Sequence, residues 1–281
     1  MRKKYRISAT ATMLAVLAGQ WAAAAADQSP PNTPVTSSTS ETDALQEVTV
    51  TAQHLKPDWA QRNELIQKAE TFVFGIADVP NYGDWPTIWS DPVCPLATGL
   101  RREQNEFVLS RVSEIARAVG ARLGGGKCHH PNLYIFVTEN PKELLRTMER
   151  RRYLVIFGNA TPSSVEQFIN QPAPVKVWHN TFRGAFFGNV NVVVDGTQLD
   201  GVSERQFADY VAMVSLTEIK SSAHFGEAKT ILRLFDGPPE AAPDGLSDWD
   251  QEFLKIVYHR EPTFANKRAN TALRMVRELV P

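Results

Sequence analysis

SERQFADYVAMVSLTEIKSS, residues 203–222, reads as one buried helix. Phe207, Val211 and Val214 recur at helical spacing, and Ala208, Ala212 and Met213 fill the positions between them, so the apolar surface is wider than the stripe of an ordinary surface helix. Such a helix has to be covered on several sides, which requires sheet and helix layers around it. The stretch contains no histidine. Asp209 is the carboxylate in its apolar middle, and a buried carboxylate needs a partner. Tyr258, His259 and Arg233 are the partners the sequence suggests.

The covering elements are found on both sides of this stretch. Residues 57–76 place Ile66, Ala69, Phe72, Val73 and Ile76 at helical spacing, and Val108, Val112, Ile115 and Val119 do the same within 107–119. NLYIFVT, residues 132–138, predicts a buried strand, followed by a helix opened by Pro141. Residues 153–157 read as a further strand, 162–170 as a short helix, and 175–178 and 189–194 as strands. Under this reading Arg150, Arg151 and Arg152, with Arg146 one turn earlier, close the Pro141 helix and complement its dipole. Ser247 caps a helix running to His259, and a last helix is expected over 263–279. The sum is an α+β fold: a single domain over 57–281 with a small mixed sheet and several packed helices.

Residues 1–26 carry a basic start, an apolar middle and a small-residue end at Ala24, Ala25 and Ala26, the pattern of a secretory signal peptide cleaved before Asp27. The expected location is periplasmic or extracellular. Removing this segment with its four cations leaves 26 Lys and Arg against 31 Asp and Glu, a formal charge of −5. That balance argues against broad nucleic-acid binding, which needs a concentrated basic footprint. No later segment is apolar enough to span a bilayer. Residues 27–44, rich in Ser, Thr, Pro and Asn, are expected to form a disordered leader.

Cys94 and Cys128 in an oxidising compartment are expected to form a disulfide. The rival is a metal site using Cys128 with His129 and His130, but neighbouring side chains rarely converge on one ion and no second ligand cluster stands nearby. Residues 78–100, with Tyr82, Trp85 and Trp89, read as a long loop pinned by Cys94. The glycines at 124–126 lack the preceding strand and following helix of a phosphate loop and read as a turn.

The order of segments over 189–258 resembles a metzincin-like zinc peptidase, or zincin. A strand (NVNVVV) is followed by the long apolar helix, an irregular stretch, TILRLFDG at 230–237, and LSDWDQEFLKIVY at 246–258. The last of these resembles the closing helix of zincin domains, with Leu246, Asp250, Leu254 and Tyr258 in matching places. The resemblance implies that TILRLF forms the turn beneath a metal. It also implies two histidines four residues apart with a glutamate beside the first. Here Asp209 takes the first ligand place, Tyr210 the general-base place, Met213 the second ligand place and Ile219 the third. Such a set cannot hold catalytic zinc, so the resemblance implies a degenerate zincin with no metal, no cofactor and no peptidase activity. DPVCP, PNLYIFVT and ADYVAMVSL also resemble phrases of a group of secreted bacterial proteins. LQEVTVTAQ, residues 45–53 within a strand-like segment over 45–56, resembles the TonB box of outer-membrane receptors, which implies strand addition to a periplasmic partner.

Two functional expectations follow. The first is a non-catalytic envelope protein that uses a zincin-like scaffold to bind a protein or peptide. The second is a secreted hydrolase whose site is assembled from His129, His130, His179 and Asp209. No nucleophile elbow surrounds Ser215 or Ser247, and the pairs Asp195/Asp200 and Asp248/Asp250 read equally well as turn and cap residues.

Overall fold

The 13-residue helix at the heart of the chain, α5 (Glu204–Leu216), begins on a capping box in which Ser203 Oγ accepts from Gln206 N while the Gln206 side chain accepts from Ser203 N. In this computed structural model the described residues are 59–77, 86–125, 128, 130–182, 186–220, 223–259 and 277. They belong to one compact unit, His54–Pro281. The signal peptide, leader, TonB-box-like segment, Tyr82, Trp85, His129 and, apart from residue 277, the helix expected over 263–279 lie outside the described residues.

Six helices and five strands make up the described fold, an α+β domain with a mixed sheet. The helices before α5 are α1 (Trp59–Ile76), α2 (Arg102–Ala118), α3 (Pro141–Phe157) and α4 (Pro162–Asn170), and α6 (Asp248–Tyr258) follows it. The strands are β1 (Ile88–Trp89), β2 (Pro95–Thr98), β3 (Leu133–Thr138), β4 (Val175–Phe182) and β5 (Phe186–Asp195). β5 is central: β3 and β1 pair with it in parallel, β2 extends the sheet beyond β3, and β4 pairs antiparallel on the opposite side. Among the described residues no strand pairs with the outer side of β4, which is therefore a sheet edge.

Alternating side chains sort the strands into two layers. Val190, Val192 and Val194 of β5 share the larger buried cluster with residues of α1, α2, α5 and α6, including Phe72, Val112, Val211 and Leu254. Val193 faces the other way into a smaller cluster formed by Leu145, Ile156 and Phe157 of α3 and Val165 and Ile169 of α4. Trp178 on β4 lies edge-on to Phe157 and Phe168, with ring centroids 5.2 and 4.9 Å away, and closes this layer.

Three sequence expectations are corrected. The helix at 203–222 stops at Leu216, because Thr217 is extended and residues 217–220 pair instead with the start of the sheet and the end of α1, with bridges Ile88–Thr217 and Ala77–Ile219. Residues 153–157 are the last turns of α3, where Tyr153, Ile156 and Phe157 turn inward while Leu154 and Val155 stay exposed, a helical and not a strand period. Arg150–Arg152 accordingly sit inside α3, with Arg152 at a kink (φ −140°, ψ 29°), and do not close the helix. The strand expected over 189–194 is part of β5, at the centre of the sheet, and the edge is β4.

The cysteine expectation holds: Cys94 and Cys128 are joined in a disulfide, which fastens the start of β2 to the loop before β3. Asn132 ties the same corner, accepting from Cys94 N at 2.7 Å and donating to Pro92 O at 3.0 Å. Among the described residues no helix is long and apolar enough to cross a membrane.

Candidate functional site

The three zincin-place residues on α5 do not converge. Asp209 and Met213, four residues apart, point into the protein and are fully buried. Asp209 meets α2, where Arg111 Nε donates to Oδ1 at 2.6 Å and Nη2 to Oδ2 at 3.0 Å. The main-chain N–H of Leu246 donates to the same carboxylate at 2.8 Å. The bond to Asp209 holds the Arg111 pKa well above its ordinary value. Tyr258, His259 and Arg233, the partners suggested by sequence, are engaged elsewhere: Tyr258 donates to Leu216 O, His259 Nδ1 faces Lys255 O, and Arg233 donates to Ala228 O and Gly226 O. Arg111 was nevertheless visible in the sequence, since it lies three residues after Val108 and four before Ile115, a cation within an apolar stripe.

Tyr210 turns the other way. With Val214 it lines a cleft of about 1030 Å³ that runs along β4 and is bordered by residues 218–220, 223–226 and 232–236. Its ring packs edge-on against Phe235, centroids 5.0 Å apart, and burial pushes its pKa up to about 12. The face of α5 that meets the cleft thus carries Tyr210 and Val214, one residue on from the places assigned by the zincin resemblance.

β4 contributes the opposite wall. Its backbone polarity follows from one bond: Asp195 N donates to Pro174 O at 2.8 Å, and Val175 pairs with Val194 one position further in. In an antiparallel ladder bonded and non-bonded pairs alternate, so Val175, Val177 and His179 belong to non-bonded pairs and direct their N–H and C=O away from β5. The same alternation leaves Val190 N free to bond Asn132 O on the far side of β5, as observed at 2.9 Å. β4 therefore presents a row of main-chain donors and acceptors beside the cleft.

His179 is fixed on the cleft wall. Its ring stacks on Phe187 at 4.9 Å, and Nε2 lies 3.1 Å from Val214 O, so Nε2 carries the hydrogen. Nδ1 is 4.0 Å from Glu218 Oε1, and Glu218 Oε2 accepts from the Thr87 hydroxyl at 2.8 Å. Burial lowers the His179 pKa to about 4, which keeps the ring neutral.

The floor is anchored by Asp250. Its carboxylate accepts from Thr230 Oγ1 (2.5 Å), Ile231 N (2.9 Å), Ser247 N (2.9 Å) and Ser247 Oγ (2.8 Å), which bolts the 3₁₀ turn Ile231–Arg233 to the start of α6. Asp248 and Asp250 both lie in the first turn of α6, and Asp195 accepts from Thr197 N, in accord with cap and turn roles.

Of the alternative hydrolase set, His129 lies outside the described residues and the other three are held by separate parts of the fold. His130 is exposed in the loop before β3, His179 is bound to Val214 O, and Asp209 is occupied by Arg111 and Leu246 on the inner face of α5. Among the described residues no group of three or more His, Cys, Asp or Glu stands close enough to hold a metal ion. No protein-family model, curated protein or solved structure matches the chain.

Proposed function

We propose that this is a non-catalytic envelope protein, secreted to the periplasm or beyond, which binds an extended segment of another protein in the cleft along β4. The observation that carries this reading is the edge of β4, unpaired among the described residues, beside a cleft of about 1030 Å³. An extended peptide placed there completes main-chain hydrogen bonds with Val175, Val177 and His179 while its alternate side chains enter the cleft. Sheet edges are normally protected by charge, proline or covering segments, and an edge opening on a cleft is suited to adding a strand.

The degenerate zincin scaffold is part of the same proposal. Three features support it: β5 leads into a buried helix, the antiparallel edge strand lies beside that helix, and the 230–235 turn borders the cleft. The ligand register consistent with the cleft is Tyr210 and Val214, with Val211 between them at the base position, and neither a phenol nor an isopropyl group beside an alkyl chain supplies zinc chemistry. The scaffold therefore retains the substrate groove and has lost the reaction.

The test uses two ten-residue peptides of alternating Val and Glu, one with ordinary amides and one N-methylated at alternate residues along one edge. The proposal expects binding of the first, loss of binding with the second, and full recovery of intact peptide after prolonged incubation. Cleavage of the peptide or of casein, or equal binding of both peptides, contradicts it.

A further inference from the structure

The proposed cleft carries three cations whose charge has no carboxylate partner among the described residues, and from this we infer that the peptide it receives is acidic, an inference resting on the strand-addition reading above. Lys176, at the start of β4, donates to the carbonyls of Phe168 (3.2 Å), Ile169 (2.9 Å) and Gln171 at the end of α4. Lys220 donates to Phe74 O at 2.6 Å. Arg233 donates to Ala228 O at 3.2 Å and to Gly226 O, and its guanidinium lies 5.3 Å from the Phe225 ring centroid. Each of these groups caps main-chain carbonyls, and among the described residues none lies within 4.0 Å of a carboxylate.

Carbonyl caps hold a cation in place without neutralising it. The cleft lining otherwise includes two carboxylates, Glu218, which takes the Thr87 hydroxyl, and Asp236, which is exposed. Its formal balance is therefore positive in a chain whose overall formal charge is −1. Lys220 and Arg233 stand on segments that line the same cleft as β4, and retain N–H donors beyond those committed to carbonyls. Carboxylates on the alternate residues of an added strand would receive charge-assisted hydrogen bonds from them. Electrostatic complementarity of this kind selects among peptides that the main-chain ladder binds alike.

The test is a fluorescence-anisotropy titration of the full protein with three labelled ten-residue peptides in which Val alternates with Glu, Gln or Lys, each at 50 and 300 mM NaCl. The Glu peptide is expected to bind about tenfold more tightly than the Gln peptide at low salt, with the advantage shrinking at high salt. Lys220→Gln and Arg233→Gln, each verified as folded by circular dichroism, are expected to weaken the Glu peptide several-fold more than the Gln peptide and so remove most of that advantage; equal weakening of both peptides overturns the acidic selectivity. Equal binding of the Glu and Gln peptides, or preference for Lys, overturns the acidic selectivity and leaves strand addition standing. Absence of binding by all three overturns strand addition itself.

Discussion

Arg111 on α2 and Asp209 on α5 form a two-pronged ion pair across the helix interface, and the Asp209 side chain is fully buried while that of Arg111 is 22% exposed. The pair has a structural task. Asp209 also receives Leu246 N, so a single carboxylate joins α2, α5 and the segment entering α6. Asp209→Ala leaves Arg111 with only its exposed neighbour Glu114, whose Oε2 accepts from Nη1 at 2.9 Å, and frees the buried Leu246 N–H, and is expected to cost about 3 kcal/mol. Urea denaturation reads the loss directly. Peptide binding by the folded variant should stay unchanged, and an undiminished unfolding midpoint would show that the pair does not lock the helices.

Gly245 is required by the same contact. A Cβ there would stand 2.5 Å from Asp209 Oδ2 and 2.9 Å from Arg205 Nε. Gly245→Ala is therefore expected to lose about 1 to 3 kcal/mol through forced displacement of the ion pair. Thermal melts of the variant and of Gly237→Ala, where the added methyl meets nothing within 4 Å, provide the comparison. Equal melting temperatures would refute the close approach.

His179 gives the fold a pH dependence of known sign. Its folded pKa is lowered to about 4 from 6.5, so between these values the unfolded chain binds the proton more readily. Stability contributed by neutral His179 is full above pH 6.5 and falls as pH drops towards 4, by about 3 kcal/mol in all. His179→Gln should flatten that part of the stability curve. A variant whose pH profile between 4 and 6.5 matches the parent's would falsify the assignment.

The disulfide closes a loop between residues 34 apart in sequence, and replacing Cys94 and Cys128 together by Ala is expected to cost about 4 kcal/mol in the chain-entropy description. Chemical denaturation of the double variant against the oxidised parent measures this. A difference below about 1 kcal/mol would mean that Asn132 and the β2–β3 pairing alone hold the corner.

Local periodicity made most of the fold legible. α1, α2, α6 and strands β3, β4 and β5 were readable because each repeats its apolar residues at helix or strand spacing. β1 and β2 were not, since strands of two and four residues inside a Pro-rich loop carry no period to detect. The YLVIF run misled because β-branched and aromatic residues favour strands, whereas the packing of Phe157 against Phe168 of α4 and Trp178 of β4 is a tertiary event. The site was half legible. Asp209 was recognised as a buried carboxylate, but which face of α5 meets the cleft is set by the rotation of the helix against α2, and that follows from Arg111.

Val177 offers the most direct test of the account. Its N–H points away from β5, so proline at this position removes a donor from the free edge and none from the ladder. The measurement is the anisotropy titration of the alternating Val–Glu peptide against the parent and Val177→Pro. The account predicts saturable binding by the parent and a loss of at least about tenfold in the folded variant, one ladder bond and its register being removed. Unchanged affinity in Val177→Pro would contradict strand addition at β4.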